Sequence, residues 1–180
     1  MIQHNLFNGR LIRLRALEPE DAETLFRFRQ DSDSLQHQGQ MGWPYSLAEL
    51  RFRLEKLPEL TGQGDNMQLA IETLNGEMVG EINIQLADPK HGTFAVGIAL
   101  GERAVWGKGY AKEAMLLVLR FMFLERRYQS VMLAFMLLMR GRWRCIASLA
   151  LSTKGGGGAT TLPTALIMTR FGWGCCAKSS

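Results

Sequence analysis

Between residues 93 and 124 the chain passes from a strand-like run to a helical one, and two glycines separated by a single residue sit at the join. Residues 93–100, Thr-Phe-Ala-Val-Gly-Ile-Ala-Leu, read as a sheet strand. From Ala111 to about Leu124, Ala111, Ala114, Met115, Val118 and Met122 recur at helical spacing. Leu116, Leu117, Leu119 and Phe121 make the other faces apolar too, so this helix is expected to be central and covered. Gly107-Lys108-Gly109 lets the backbone turn tightly and point several N–H groups at one spot. The helix dipole adds partial positive charge there, which makes a place for a pyrophosphate that Lys108 supplements.

The segments before this join set the sheet. Residues 11–15 alternate apolar and basic side chains, as a half-buried strand does. Glu18-Pro19-Glu20-Asp21 then places proline and acids where a helix begins, with Ala22, Leu25 and Phe26 as its apolar stripe and Arg29 one turn on. A second helix is predicted from about Ser46, with Leu47, Leu50, Leu54 and Leu57 on one face. Trp43-Pro44 before it is a loop that lines a cleft or, equally, packs a tryptophan under itself. Met67–Thr73 and 78–86 are strands joined around Asn75-Gly76, a dipeptide that takes positive φ at both positions in tight hairpins. Residues 88–92 turn the chain into 93–100, and 128–135 begin another strand after the long helix. Strand, two helices, three strands, a helix and a strand imply a mixed sheet with helices on both sides.

The glycine turn is no Walker A loop, because Gly109 stands where Ser or Thr is needed and no glycine lies five residues before Gly107. The third glycine of a dinucleotide fingerprint is absent too. Trp106-Gly107-Lys108-Gly109-Tyr110-Ala111-Lys112-Glu113-Ala114 instead resembles the acetyl-coenzyme A signature of the GNAT superfamily. It is similar in particular to the branch resembling ribosomal-protein N-terminal acetyltransferases. Residues 96–101 resemble that branch's preceding strand, and 11–15 with Asp21 its opening strand and helix, so the likeness spans about residues 6–135 in order.

The resemblance implies an α/β fold with a GNAT-like mixed, mostly antiparallel sheet flanked by helices. It implies acetyl-coenzyme A as co-substrate, bound at the signature that Trp106 opens, with its pyrophosphate on the N–H groups of Gly107, Lys108, Gly109, Tyr110 and Ala111. Its pantetheine arm pairs with strand backbone at Ile98, Ala99 and Leu100. A deprotonated primary amine (a protein N-terminus, a polyamine or another small amine) attacks the thioester directly. Many relatives carry a glutamate two residues before the glycine of this strand, and Ala95 stands there in this chain. Glu81 on the neighbouring strand is the candidate substitute, set against the plainer reading of a charge on a solvated strand face.

The chain divides in composition at about residue 135. All 17 Asp and Glu lie before it, where 15 Lys and Arg leave a net charge of −2, whereas 136–180 hold six basic residues and no acid. The overall +4 is therefore confined to the tail and carries no argument for a nucleic-acid partner. The three cysteines, Cys145, Cys175 and Cys176, also lie there, with no disulfide or zinc spacing, and His4, His37 and His91 are isolated, so no metal is expected. No signal peptide or membrane-spanning run is visible, which makes a cytoplasmic protein the expectation.

After residue 135 the branch continues with an asparagine that contacts the cofactor and a tyrosine that protonates the leaving thiolate, and neither appears in 136–180. Joining the last base of each codon to the first two of the next returns such residues. Cys145-Ile146 permits only tyrosine or histidine, Met168-Thr169 forces aspartate, Trp173-Gly174 glycine and Cys175-Cys176 leucine. The division expected is thus an acetyltransferase core over 1–135 and a divergent or frameshifted, poorly ordered tail over 136–180. Apolar surface left open by such a tail implies self-association or a homodimer. The alternatives are a catalytically impaired coenzyme A-binding remnant and a membrane-surface protein using 131–139 with Arg140-Gly141-Arg142-Trp143-Arg144. The membrane reading leaves the glycine loop without a purpose, so no membrane partner is expected.

Overall fold

The computed structural model describes residues 5–38, 42–61, 64–135, 166–169 and 172–173. Strand β1 (Ile12–Ala16) buries Ile12 and Leu14 and leaves Arg13 exposed, the alternation its sequence carries. It pairs antiparallel with β2 (Met67–Thr73), β2 with β3 (Met78–Asp88), and β3 with β4 (Thr93–Leu100). Helix α4 (Tyr110–Arg120) then crosses over to β5 (Ser130–Phe135), which lies parallel to β4. Beyond β5 the sheet continues with β6 (Leu166–Thr169), parallel to β5, and β7 (Gly172–Trp173), antiparallel to β6. The strand order is β1 to β7 in sequence. This is the mixed sheet with helices on both sides that the order of elements implies, and it is mostly antiparallel, as the resemblance implies.

Two cores lie on opposite faces of this sheet. On one, Ile12, Leu14, Ile71, Ile82, Ile84, Phe94 and Val96 meet Ala114, Met115, Val118 and Met122 from α4 and the turn after it. Phe94 is the anchor, with its ring edge-on to Phe123 at 5.6 Å and to Tyr128 at 5.3 Å. On the other face α1 (Ala22–Phe28) and α3 (Leu47–Thr61) set Ala22, Leu25, Leu50 and Leu54 against Ala70 and Met78. Leu50 and Leu54 are the predicted stripe of the second helix, and the Ser46 hydroxyl caps that helix by accepting the Glu49 N–H at 3.1 Å.

Several expectations require correction. A further helix, α2 (Ser32–Gln38), follows α1. Ser-Asp-Ser-Leu-Gln-His-Gln has no apolar stripe to announce it, and its fully buried residue is Ser34, whose hydroxyl donates to the Gly101 carbonyl at 3.2 Å. The Asn75-Gly76 turn has positive φ only at Gly76 (87°), not at both residues. Gly76 N–H bonds to Thr73 O and Thr73 N–H to Glu77 O, so the loop has three residues and its glycine closes it in the left-handed region. Helix α4 stops at Arg120, passes into a wider turn over Phe121–Glu125, and leaves Leu116 exposed, so it is not covered all round. Trp43 is 88% exposed, which removes the packing tryptophan.

Candidate functional site

After β4 the chain makes a short 3-10 turn, Arg103–Val105, and Trp106 follows in extended conformation. Gly107 takes φ 78° and Gly109 takes φ 91°, both in the left-handed region that glycine enters without a Cβ penalty. A Cβ on Gly107 would meet nothing within 4 Å, so the residue is needed for its backbone angle, not for room. Gly109 is the N-cap of α4, and the first intrahelical bond of its turn runs from Glu113 N–H to Gly109 O at 3.0 Å. That leaves the N–H groups of Tyr110, Ala111 and Lys112 without an intrahelical acceptor at the positive end of the dipole. Lys108 is exposed on the same loop.

The loop has a backing that the sequence did not announce. The Glu113 carboxylate accepts hydrogen bonds from the N–H groups of Arg10 (2.7 Å), Leu11 (2.8 Å) and Ile12 (3.1 Å), a hundred residues away in the chain. Leu11 reaches back, its Cδ1 3.4 Å from where a Cβ on Gly109 would lie. The only hint was Glu113 itself, standing in the glycine-loop run without an assigned task.

Beside the loop the sheet opens. The β4–β5 register runs from Thr93 opposite Ser130 to Val96 opposite Leu133, whereas β3 stays paired with β4 as far as Leu100. Gly101 N–H bonds to Val79 O on the β3 side, so by antiparallel alternation the N–H and C=O of Ile98 point to the side where β5 has parted. Ile98 and, by the same alternation, Leu100 therefore offer strand backbone on the open side, whereas the expected contribution of Ala99 is corrected: its carbonyl faces Gly80 on β3.

On the face away from α4 lies a shallow, open cleft lined by Leu25, Phe28, Arg29, Leu35, Glu81, Ala99, Leu100 and Gly101. Glu81 does not lie on a solvated strand face as its plainer reading held; it is only 8% exposed. It is the register partner of Ala99, accepts a 2.6 Å hydrogen bond from Gln68 Nε2, and stands 3.7 Å from Arg29 Nη2. Arg29 in turn lies over the Tyr45 ring, 5.5 Å from its centroid, with Arg53 on the same ring at 4.9 Å. Ala95 shares the Glu81 face, four residues further from the cleft along β4.

Tyr128 is not available as an acid. Burial, reinforced by its 2.8 Å hydrogen bond to Asp65, pushes its hydroxyl up to about 12, and Arg126 pairs with the same carboxylate. The resemblance expects a tyrosine and an asparagine after residue 135, where this sequence has neither; the tail cysteines and the basic-aromatic run at 140–144 lie outside the described residues. Among the described residues no cluster of His, Cys, Asp and Glu has the makings of a metal site, and no helix is long and apolar enough to cross a membrane.

A model of the acetyltransferase (GNAT) domain family matches residues 11–137. The chain is 35% identical over 125 residues to the SPbeta prophage-derived uncharacterized N-acetyltransferase YokL of Bacillus subtilis (strain 168), covering 69% of this chain and 67% of that protein. Among solved structures, the spermidine N-acetyltransferase from Vibrio cholerae, in complex with CoA and spermine, superposes with a TM-score of 0.55 at 18% identity, over 68% of this chain and 70% of that one. RimL, a ribosomal L7/L12 alpha-N-protein acetyltransferase, gives 0.56 at 19% identity, over 67% of this chain and 64% of its own. At such identities the two structures bear on the fold alone.

Proposed function

Because this chain belongs to the acetyltransferase (GNAT) family, we propose that it transfers the acetyl group of acetyl-coenzyme A to a primary amine, the pyrophosphate resting on the loop from Trp106 to Ala111. The observation that carries this reading is a juxtaposition. A left-handed glycine pair at a helix N-terminus follows in the chain directly after β4, whose residues beyond Val96 have no β5 partner. The first suits a diphosphate; the second suits an extended amide chain that pairs with the strand edge at Ile98 and Leu100. Lys108 adds a positive charge to the first.

The chemistry needs little more than placement. The amine, once deprotonated, attacks the thioester carbonyl; the C–N bond forms, the C–S bond breaks, and the thiolate leaves as coenzyme A after taking a proton. Glu81 is the carboxylate of this chain that stands in the cleft beside β4, and we assign it the task of holding the incoming ammonium and receiving its proton. Arg29 competes for the same carboxylate, so the amine has to displace a guanidinium at 3.7 Å. Peptide N-termini and polyamines both present such an ammonium; the structural neighbours include one protein named for each.

A second reading has its own observation. Ala95 lacks the carboxylate frequent in relatives, none of the three tyrosines lies in 136–180, and the family match ends at residue 137. We therefore read 1–135 as the acetyltransferase core and 136–180 as the product of one lost nucleotide near codons 133–135. On this reading the chain binds coenzyme A and turns over poorly, since loss of a positioned acid or base costs on the order of 10²–10⁴ in rate. The test compares the chain with one translated from a gene carrying one base restored near codon 134, using acetyl-coenzyme A and a mixed amine panel. The restored protein is expected to gain both activity and thermal stability. Equal turnover by the two would show that 136–180 is a working tail, and Glu81→Gln in the more active protein should lower kcat/KM for the amine by about 10²-fold or more. An unchanged value would remove Glu81 from the site.

A further inference from the structure

We propose that Glu113 is a positioning residue for coenzyme A, acting through the N-terminal turn at residues 9–12, which it holds against the back of the phosphate loop. The inference rests on the proposed role of residues 106–111. Gly9 N–H bonds to Ile12 O at 2.8 Å and closes the turn, and the three N–H groups of Arg10, Leu11 and Ile12 then converge on one point. Converging donors repel one another unless an acceptor takes them, and Glu113 supplies both carboxylate oxygens. Gly9 permits the approach: a Cβ there would lie 2.6 Å from Glu113 Cδ and 2.8 Å from Oε1. Leu11, carried by this turn, brings its Cδ1 to 3.4 Å from where a Cβ on Gly109 would lie, and the left-handed angle of Gly109 sets where the loop N–H groups point. At the other end of the same segment Phe7 lies against Phe121, with ring centroids 5.1 Å apart, so the arm is fastened to both ends of the helical run that begins at Gly109.

This arrangement resolves an electrostatic conflict. An acid in the first turn of a helix stabilises the helix but opposes an anionic ligand at the same end. Here three N–H groups absorb the charge on the side of the helix occupied by the N-terminal turn. Simple charge reasoning predicts that removing Glu113 tightens coenzyme A binding. Positioning predicts the reverse, and the two are separable by sign.

Titration calorimetry with coenzyme A alone, on the full chain and at a temperature where each variant is fully folded by its melting curve, decides between them. Glu113→Ala is expected to weaken coenzyme A binding by about tenfold or more, and Glu113→Gln, which keeps one acceptor oxygen, by less. Gly9→Ala, whose methyl displaces the carboxylate, should weaken it comparably. The double variant should be no weaker than Glu113→Ala, because both changes break the same contact. Binding that is unchanged or tighter in Glu113→Ala, or losses that add in the double variant, would overturn the proposal. Gly109→Val is the control for the underlying reading, since a β-branched residue resists φ 91°. If it binds as the parent does, the loop itself is misassigned; if it fails while Glu113→Ala binds normally, only the positioning role falls.

Discussion

The two faces of the sheet are held by different physics. Against α4 the contacts are almost wholly apolar: Phe94, Ile82, Val96, Met115, Val118 and Met122 are all buried with no charge among them. Against α1 and α3 the sheet carries buried ions. Glu72 receives Arg13 and Arg15, Arg15 also grips Asp21 through two hydrogen bonds of 2.7 and 2.8 Å, and Glu81 faces Arg29. Asp21 further accepts the Glu18 N–H at 2.9 Å and so ties the start of α1 to β1. Dispersion and burial are indifferent to pH and tolerate no voids, whereas ion pairs depend on pH and desolvation. The face that supports the glycine loop is therefore rigid by packing, and the face that borders the cleft is held by charges an amine can join.

The largest effect is expected on the apolar face. Phe94→Ala removes a fully buried ring that meets two other rings and should cost about 3–5 kcal/mol, read as a lowered midpoint in chemical denaturation. A loss below about 1 kcal/mol would show that this face repacks and is not the rigid one. On the ionic face Glu72→Ala should cost less, about 1.5–3 kcal/mol, because the guanidinium of Arg13 is half exposed and recovers water when its partner goes. A loss equal to or larger than that of Phe94→Ala would show that ion pairs hold their face as strongly as packing holds the other.

The contrast sharpens with pH. Burial would raise the Asp21 and Glu72 carboxyls, but the hydrogen bonds and charge of Arg15, with Arg13 at Glu72, outweigh it and leave both below their ordinary values. A carboxylate lowered in the folded state contributes stability that is present above its unfolded pKa, about 4, and is lost as pH falls through the folded value. Stability should thus decline below about pH 4, and the Asp21→Asn/Glu72→Gln double variant should flatten that decline while Phe94→Ala leaves its slope unchanged. A double variant with the parent's acid profile would show that these ions do not set it. The smallest change is at the cap of α3: Ser46→Ala should cost about 1 kcal/mol, measurable as a small shift in melting temperature.

The same contrast explains what could be read from the sequence. The apolar face was legible because its information is local: a strand period, a glycine pair and a helical period follow one another within about thirty residues, and β4 lies at 93–100 as read. Chemistry on the other face is assembled from distant pieces. Glu81 looks like a surface charge until Arg29 and Gln68 are brought to it by α1 and β2. Helix α2 leaves no periodic trace, because its buried contact is a serine hydroxyl on a carbonyl near the end of β4. Glu113 was visible as a letter in a motif, but its three partners lie at the opposite end of the chain, where no spacing rule reaches.

The parting of β4 from β5 after Val96 has a consequence for how long the protein survives. A ligand lying along that open edge would bond to strand backbone as a neighbouring strand does, and so would extend the sheet where β5 has left it. Mass action then ties the folded fraction to the ligand: a hundredfold excess over Kd adds about 2.7 kcal/mol, and each further tenfold adds about 1.4. With acetyl-coenzyme A as that ligand, as proposed above, resistance to proteases that attack the opened chain would rise and fall with its supply.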